Sequence, residues 1–262
     1  TAYRIAVIAA GGGAAVLADR IGWPGTFGAL AALPLVIAAI IALVLPRDAG
    51  GTERHENPVK ALLEWLARPG AKWLLVIVLL YRLGDSALRP MIVPFWVSRG
   101  FTTAEVGNVT TTLGMICTIA GAIAGGAFVA RAGIFRGLVW LGALQMLSNL
   151  GYGLVAGSGA GRGAMYGAAI TETFCDGLGT AAFLSFLMFI CERDNAATEY
   201  AMLSAVFAIS RTMAGAVSGF FVETLGLGFE RYFWVTALLA VPGLLLLPLI
   251  RGRLQTERAA PA

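Results

Sequence analysis

An all-α, polytopic bundle of transmembrane helices is the fold class this sequence predicts, and three observations predict it. Of the 262 residues, 58% are hydrophobic and 13% are charged, about half the charged share of a soluble domain, and the mean hydropathy is +0.79. Apolar runs recur at about 1–18, 25–46, 73–97, 106–130, 137–156, 164–190, 200–224 and 232–250. Most are long enough for roughly 30 Å of hydrocarbon at about 1.5 Å per residue. No alternation of apolar and polar positions signals a barrel, so the spans are helices. Finally, the basic residues of the connections segregate by side. Arg47, Arg54, Lys60, Arg68, Lys72, Arg131, Arg136, Arg193, Arg251, Arg253 and Arg258 fall on one face, and Arg20, Arg99, Arg162 and Arg231 on the other. The basic-rich face is cytoplasmic. The formal charge of +4 therefore reflects membrane orientation, and no nucleic-acid partner follows from it.

The first two spans occupy residues 1–46. The chain opens on Thr1 inside an apolar run, with no charged leader and small-residue cleavage site, and is read as part of a longer protein. Residues 47–72 form a long cytoplasmic connection. Within it Asn57-Pro58 is an N-cap followed by a first-turn proline, and Val59, Leu62, Leu63 and Leu66 repeat at helical spacing up to Pro69. A short amphipathic helix along the interface is expected there. Six more spans fill 73–250, and 251–262 are a cytoplasmic tail. Glycine pairs at small-x-x-x-small spacing, Gly121/Gly125, Gly153/Gly157, Gly163/Gly167 and Gly215/Gly219, allow close helix packing.

The third span carries the most informative residues. Arg82, Asp85 and Arg89 stand at i, i+3 and i+7, on one helical face in the middle of an apolar run. Each such charge costs about 2.5–3.5 kcal/mol to insert at mid-membrane, so that face must look into protein or a water-filled cavity. The sixth span adds Glu172 and Asp176, one turn apart, and the seventh adds Arg211. Three cations against three carboxylates can balance as a neutral network. Two carboxylates so close also resist ionising together, which makes either a candidate proton carrier. Both serve equally well as structural partners of Arg82, Arg89 or Arg211. Gln145 and Asn149 on the fifth span and Asn108 on the fourth add amides to the same candidate pathway.

Enzyme signals are lacking. The lone histidine, His55, lies in a polar loop, and Cys117, Cys175 and Cys191 follow no C-x-x-C spacing. No metal or cofactor is called for. The glycine-rich 157–163 lacks the G-K-[ST] ending of a phosphate loop.

The run Gly126-Ala127-Phe128-Val129-Ala130-Arg131-Ala132-Gly133-Ile134-Phe135-Arg136 resembles the cytoplasmic G-x-x-x-D-R-x-G-R-R loop of the major facilitator superfamily, with Ala130 in place of the acid. That assigns Gly126, Arg131, Gly133 and Arg136 to a conformational loop. Four further stretches resemble the AmpG family of muropeptide permeases: Tyr81-Arg82-Leu83-Gly84-Asp85, the run from Glu172 to Phe183, Ala197-Thr198-Glu199-Tyr200-Ala201-Met202-Leu203-Ser204, and Tyr3-Arg4-Ile5 with Gly11-Gly12-Gly13 and Leu17-Ala18-Asp19.

The resemblance implies that these are helices five to twelve of a twelve-helix transporter, monomeric when complete. It further implies proton-coupled import of anhydromuropeptides across a bacterial inner membrane, by rocking of two halves around a midplane site. The chain alone, lacking half of the cavity wall, is not expected to transport. The alternatives are a carrier of another anionic metabolite such as acetyl-CoA, and a non-transporting membrane sensor of the same fold.

Overall fold

A computed structural model describes residues 2–44, 64–192 and 195–256. Two compact units divide the chain, Thr1–Glu56 and Asn57–Ala262. The first holds one long helix, α1 (Ala2–Val44), which covers both of the first two predicted spans. The interruption expected between them is a kink at Gly22, with φ 73° and ψ 165°, a backbone conformation suited to glycine. The Thr26 hydroxyl donates to the Gly22 carbonyl at 2.9 Å.

The second unit contains α2 (Ala71–Leu80) and α3 (Leu83–Ser98), followed by α4. This last runs as Thr103–Gly107, a π-helical turn Asn108–Leu113, and Gly114–Ala132. Next come α5 (Ile134–Ser158), α6 (Arg162–Phe189), α7 (Ala196–Gly219, prolonged by a π-helical turn Phe220–Thr224) and α8 (Gly228–Thr256). No strand occurs among the described residues. The amphipathic helix expected over 57–66 lies outside the described residues except at its end, where 64–67 are helical.

Among the described residues, four helices are long and apolar enough to cross a membrane: Gly114–Ala132, Ile134–Ser158, Ala196–Thr224 and Gly228–Gly252. The other predicted spans depart from that standard for visible reasons. The third is split into pieces of 10 and 16 residues at Tyr81–Arg82, and the sixth, at 28 residues, contains Glu172 and Asp176. The first two are merged across the Gly22 kink.

Packing within this unit follows the order α4, α6, α5, α8, α3, α7, each touching the next. Glycines set the closest crossings. A β-carbon on Gly177 of α6 would run into the Thr118 carbonyl of α4, and one on Gly121 into the Phe174 carbonyl. Of the four spaced pairs, Gly121/Gly125 and Gly153/Gly157 meet a neighbouring helix, Gly163/Gly167 meet nothing within 4 Å, and Gly215 touches only Pro90.

The core is divided into two apolar clusters. One gathers around Trp65, Ile77, Tyr81, Leu138, Phe183 and Phe186, the other around Leu88, Phe95, Trp96, Tyr152, Met165 and Phe233. Along α3, α5 and α6 the residues between these clusters are polar and buried: Arg82 and Asp85, then Gln145, Ser148 and Asn149, then Glu172 and Asp176. A polar layer is therefore sandwiched between the two clusters, at the start of α3 and near mid-length of α5 and α6.

Candidate functional site: a buried ion layer

The break between α2 and α3 gives Arg82 its position. Its backbone leaves the helix at φ −111° and ψ 16°, close against α8, where a β-carbon on Gly243 would meet Tyr81 Cα at 2.5 Å. Tyr81 anchors the break by donating to the Leu138 carbonyl at 2.8 Å and stacking on Phe183 at 5.7 Å. The Ser86 hydroxyl donates to the Arg82 carbonyl at 2.8 Å. The guanidinium is thus held at the centre of the layer.

From there the contacts radiate. Arg82 Nη2 donates to Asp176 Oδ1 and lies 3.5 Å from Asp85 Oδ2, while Nη1 donates to Thr180 Oγ1 at 2.9 Å. Arg89 Nη2 pairs with the other Asp176 oxygen at 2.5 Å. One carboxylate therefore bridges two guanidiniums, a strong charge-assisted arrangement. Asp85 Oδ1 accepts from Asn149 Nδ2 at 2.8 Å and Gln145 Nε2 at 3.2 Å. A small cavity bordered by Tyr81, Arg82, Asp85, Gln145 and Gly179 adjoins these groups. Whereas the side chains of Arg82, Asp85 and Asp176 are 7–9% exposed, that of Arg89 is 47% exposed and brings the layer to the surface of the unit.

Three acceptors in the layer have no hydrogen-bond partner: Gln145 Oε1, Asn149 Oδ1 and Glu172 Oε1. Glu172 itself is 2% exposed. Arg211 is not brought into the network. It lies on the exposed side of α7 and pairs with no described acid, so the expected balance of three cations and three carboxylates is here two against three. Asn108 falls on the π-helical turn of α4, and its side chain lies outside the described residues.

The predicted conformational loop is the tight link between α4 and α5. Gly133 takes φ 90° and donates its N–H to the Val129 carbonyl at 2.8 Å. Arg131 and Arg136 are exposed and unpaired among the described residues, and Gly126 has open space around it. The described residues contain no cluster of histidine, cysteine or acidic groups able to hold a metal.

Sequence reasoning missed two clusters outside the layer. Glu199, 2% exposed, accepts from Arg68 at 2.5 and 3.2 Å and from the Glu192 backbone N–H at 2.9 Å. Its hydrogen bonds hold the Arg68 guanidinium above its ordinary pKa. Thr102 and Glu105 form a reciprocal cap on α4: the Thr102 N–H donates to Glu105 at 2.9 Å, and the Glu105 N–H to Thr102 Oγ1 at 3.3 Å. The Thr102 backbone and hydroxyl bonds hold the Glu105 carboxyl below the usual range. The T-x-x-E spacing at 102–105 was a legible signal; the Arg68–Glu199 pair, 131 residues apart, had none.

A helical bundle whose adjacent spans bury charged side chains at mid-length, with apolar clusters on either side, defines a polytopic α-helical membrane protein with an internal polar layer. No family model matches the chain. It is 37% identical over 262 residues to the anhydromuropeptide permease of Escherichia coli (strain K12), covering 98% of this chain and 53% of that protein. It is 26% identical over 258 residues to the putative transporter AmpG 4 of Rickettsia conorii, covering 94% and 61%. With the putative transporter AmpG 1 of Rickettsia prowazekii it shares 26% identity over 181 residues. By sequence the chain is similar to AmpG-type permeases over nearly its whole length. It spans about half the length of the first of these relatives.

Proposed function

We propose that this chain supplies helices five to twelve of a proton-coupled importer of anhydromuropeptides in a bacterial inner membrane. On this reading residues 1–46 end one six-helix half and 73–250 form the other. The complete protein works as a monomer by alternating access around a midplane site. The relatives named as an anhydromuropeptide permease and AmpG transporters support the substrate class. The observation that carries the reading is Arg89. One part of its guanidinium is committed to Asp176 and the side chain is still 47% exposed, so N–H donors remain for an anionic solute at the edge of the buried layer. The carboxylates of a muropeptide suit such a group. Arg82, Asp85, Gln145, Asn149, Glu172 and Asp176 line the proton and substrate route, with Asn108 contributing from α4. The Gly126–Arg136 link acts as the cytoplasmic hinge between conformations.

The test uses the full-length protein in proteoliposomes with an imposed inward proton gradient and labelled N-acetylglucosaminyl-anhydromuramyl peptide. Gradient-dependent uptake that is lost in Asp85→Asn is the expected result. Uptake unchanged in that variant removes Asp85 from the route. No uptake by a correctly folded native protein overturns the muropeptide assignment and transfers the same assay to acetyl-CoA. A sensor of this fold would tolerate neutralisation of Asp85 and Asp176 without loss of its output.

A further inference from the structure

We propose that Glu172 is the group that carries the coupling proton, and that it is the neutral acid in the conformation described here. The assignment deepens the proton-coupled reading above and rests on it. Its basis is a charge count together with the distribution of partners. Arg82 and Arg89 are the cations of the layer, and Asp85, Asp176 and Glu172 are its carboxylates. With Arg211 exposed on α7, one negative charge is in surplus. Asp176 takes both guanidiniums. Asp85 lies 3.5 Å from the same Arg82 Nη2 and accepts from two amide donors. Glu172 takes neither an ion pair nor, at Oε1, a hydrogen bond, although it is 2% exposed. A buried carboxylate with no donor and no counter-ion is the least supported anion in the layer, so it is the one that a proton neutralises.

The groups around Glu172 agree with this. They are Arg82, Asp85 and Arg89 on α3, Tyr152 on α5, and Cys175 and Asp176 on its own helix. On the other side of α6, the Gly114–Ala132 part of α4 has only Cys117 and, at its far end, Arg131 as titratable side chains. On α7, Glu199 is occupied with Arg68. Both cations close to Glu172 are already bound to Asp176. Movement of Arg89 from Asp176 to an incoming anionic solute, or to Glu172, changes which carboxylate needs the proton. Loading and release of one proton at Glu172 are coupled to the ligand by that exchange.

The test is infrared spectroscopy of the full-length protein in lipid, read without substrate, on the native chain, Glu172→Gln, Glu172→Asp and Asp176→Asn. A protonated-carboxyl band at neutral pH in the native protein, lost in Glu172→Gln and shifted in position in Glu172→Asp, is expected. In Asp176→Asn the count becomes two cations against two carboxylates and Arg89 is released, so the band should be lost there as well, and its shift in Glu172→Asp is what assigns it to residue 172. The companion readout is gradient-driven uptake, lost in Glu172→Gln and regained in Glu172→Asp. A band that persists in Glu172→Gln, a native protein without one, or a band that emerges only when sodium is withdrawn overturns the assignment. Because the band needs no substrate, failure of muropeptide uptake by the native protein defeats the transport reading and leaves the proton assignment to be decided by the spectrum.

Discussion

Asp176 and Glu172 lie four residues apart on one helix and have opposite circumstances. Asp176 is the acceptor on which two guanidiniums converge, one of them 9% exposed. Removing its charge leaves Arg82 buried with Asp85 as its nearest acid at 3.5 Å. Breaking a buried pair from one side costs about 3–5 kcal/mol, and the half-exposed Arg89 puts Asp176→Asn toward the lower end. Glu172→Gln removes no ion pair and should stay within about 1 kcal/mol of native stability. Thermal unfolding of the two variants in detergent, followed by helical circular dichroism, should give a clear drop in midpoint for Asp176→Asn alone. Equal drops would mean that Glu172 has a partner in the folded protein. The sequence marked both carboxylates as members of one polar face. Which of them was paired depended on where α3 aims its arginines, and that in turn depends on the break at Tyr81–Arg82.

At the scale of the element, the closest contact is that of α4 with α6. Gly177 faces the Thr118 carbonyl, with the Ala122 nitrogen 2.8 Å from where a β-carbon would stand. Gly177→Val should therefore force the helices apart and cost about 1–3 kcal/mol or more through overpacking. Gly167→Ala, with nothing within 4 Å of its added carbon, should change stability by less than about 0.5 kcal/mol. The same detergent melts check both; a silent Gly177→Val would mean that the two helices are not in backbone contact. Spacing alone could not separate these glycines, since Gly163/Gly167 satisfy the same rule as Gly121/Gly125. A glycine pattern shows that a helix can be approached closely, while the partner decides whether it is.

At the scale of the whole molecule, the connections at the two ends of the spans form separate clusters. Arg68 joins the α6–α7 link through Glu192 and Glu199. Arg99 donates to the Ala156 carbonyl at 2.5 Å, and Arg162 pairs with Glu105 at 2.8 Å. The basic-rich assignment puts the first end in the cytoplasm. With Cys117, Cys175 and Cys191 replaced, a single cysteine at Gly161 in the full-length protein should react with a membrane-impermeant maleimide in intact cells exposing the outer face. One at Arg136 should react only after permeabilisation. The reverse pattern would invert the orientation.

By itself the sequence determined the all-helical class, the order of the helices and the identity of the mid-span charges. Those follow from local rules: a backbone in hydrocarbon must satisfy its own hydrogen bonds, and a charge within an apolar run is conspicuous whatever surrounds it. The break at Tyr81–Arg82, the π-helical turns in α4 and α7, the Arg68–Glu199 pair and the exclusion of Arg211 were decided by tertiary structure. Each depends on which residue of a distant helix stands opposite, and the 3.6-residue period fixes a face without fixing its neighbour. The charge balance turned on that difference. Counted along the chain the charges cancel, but with Arg211 exposed and outside the network the buried layer is left one carboxylate in excess, and Glu172 is the carboxylate without a partner.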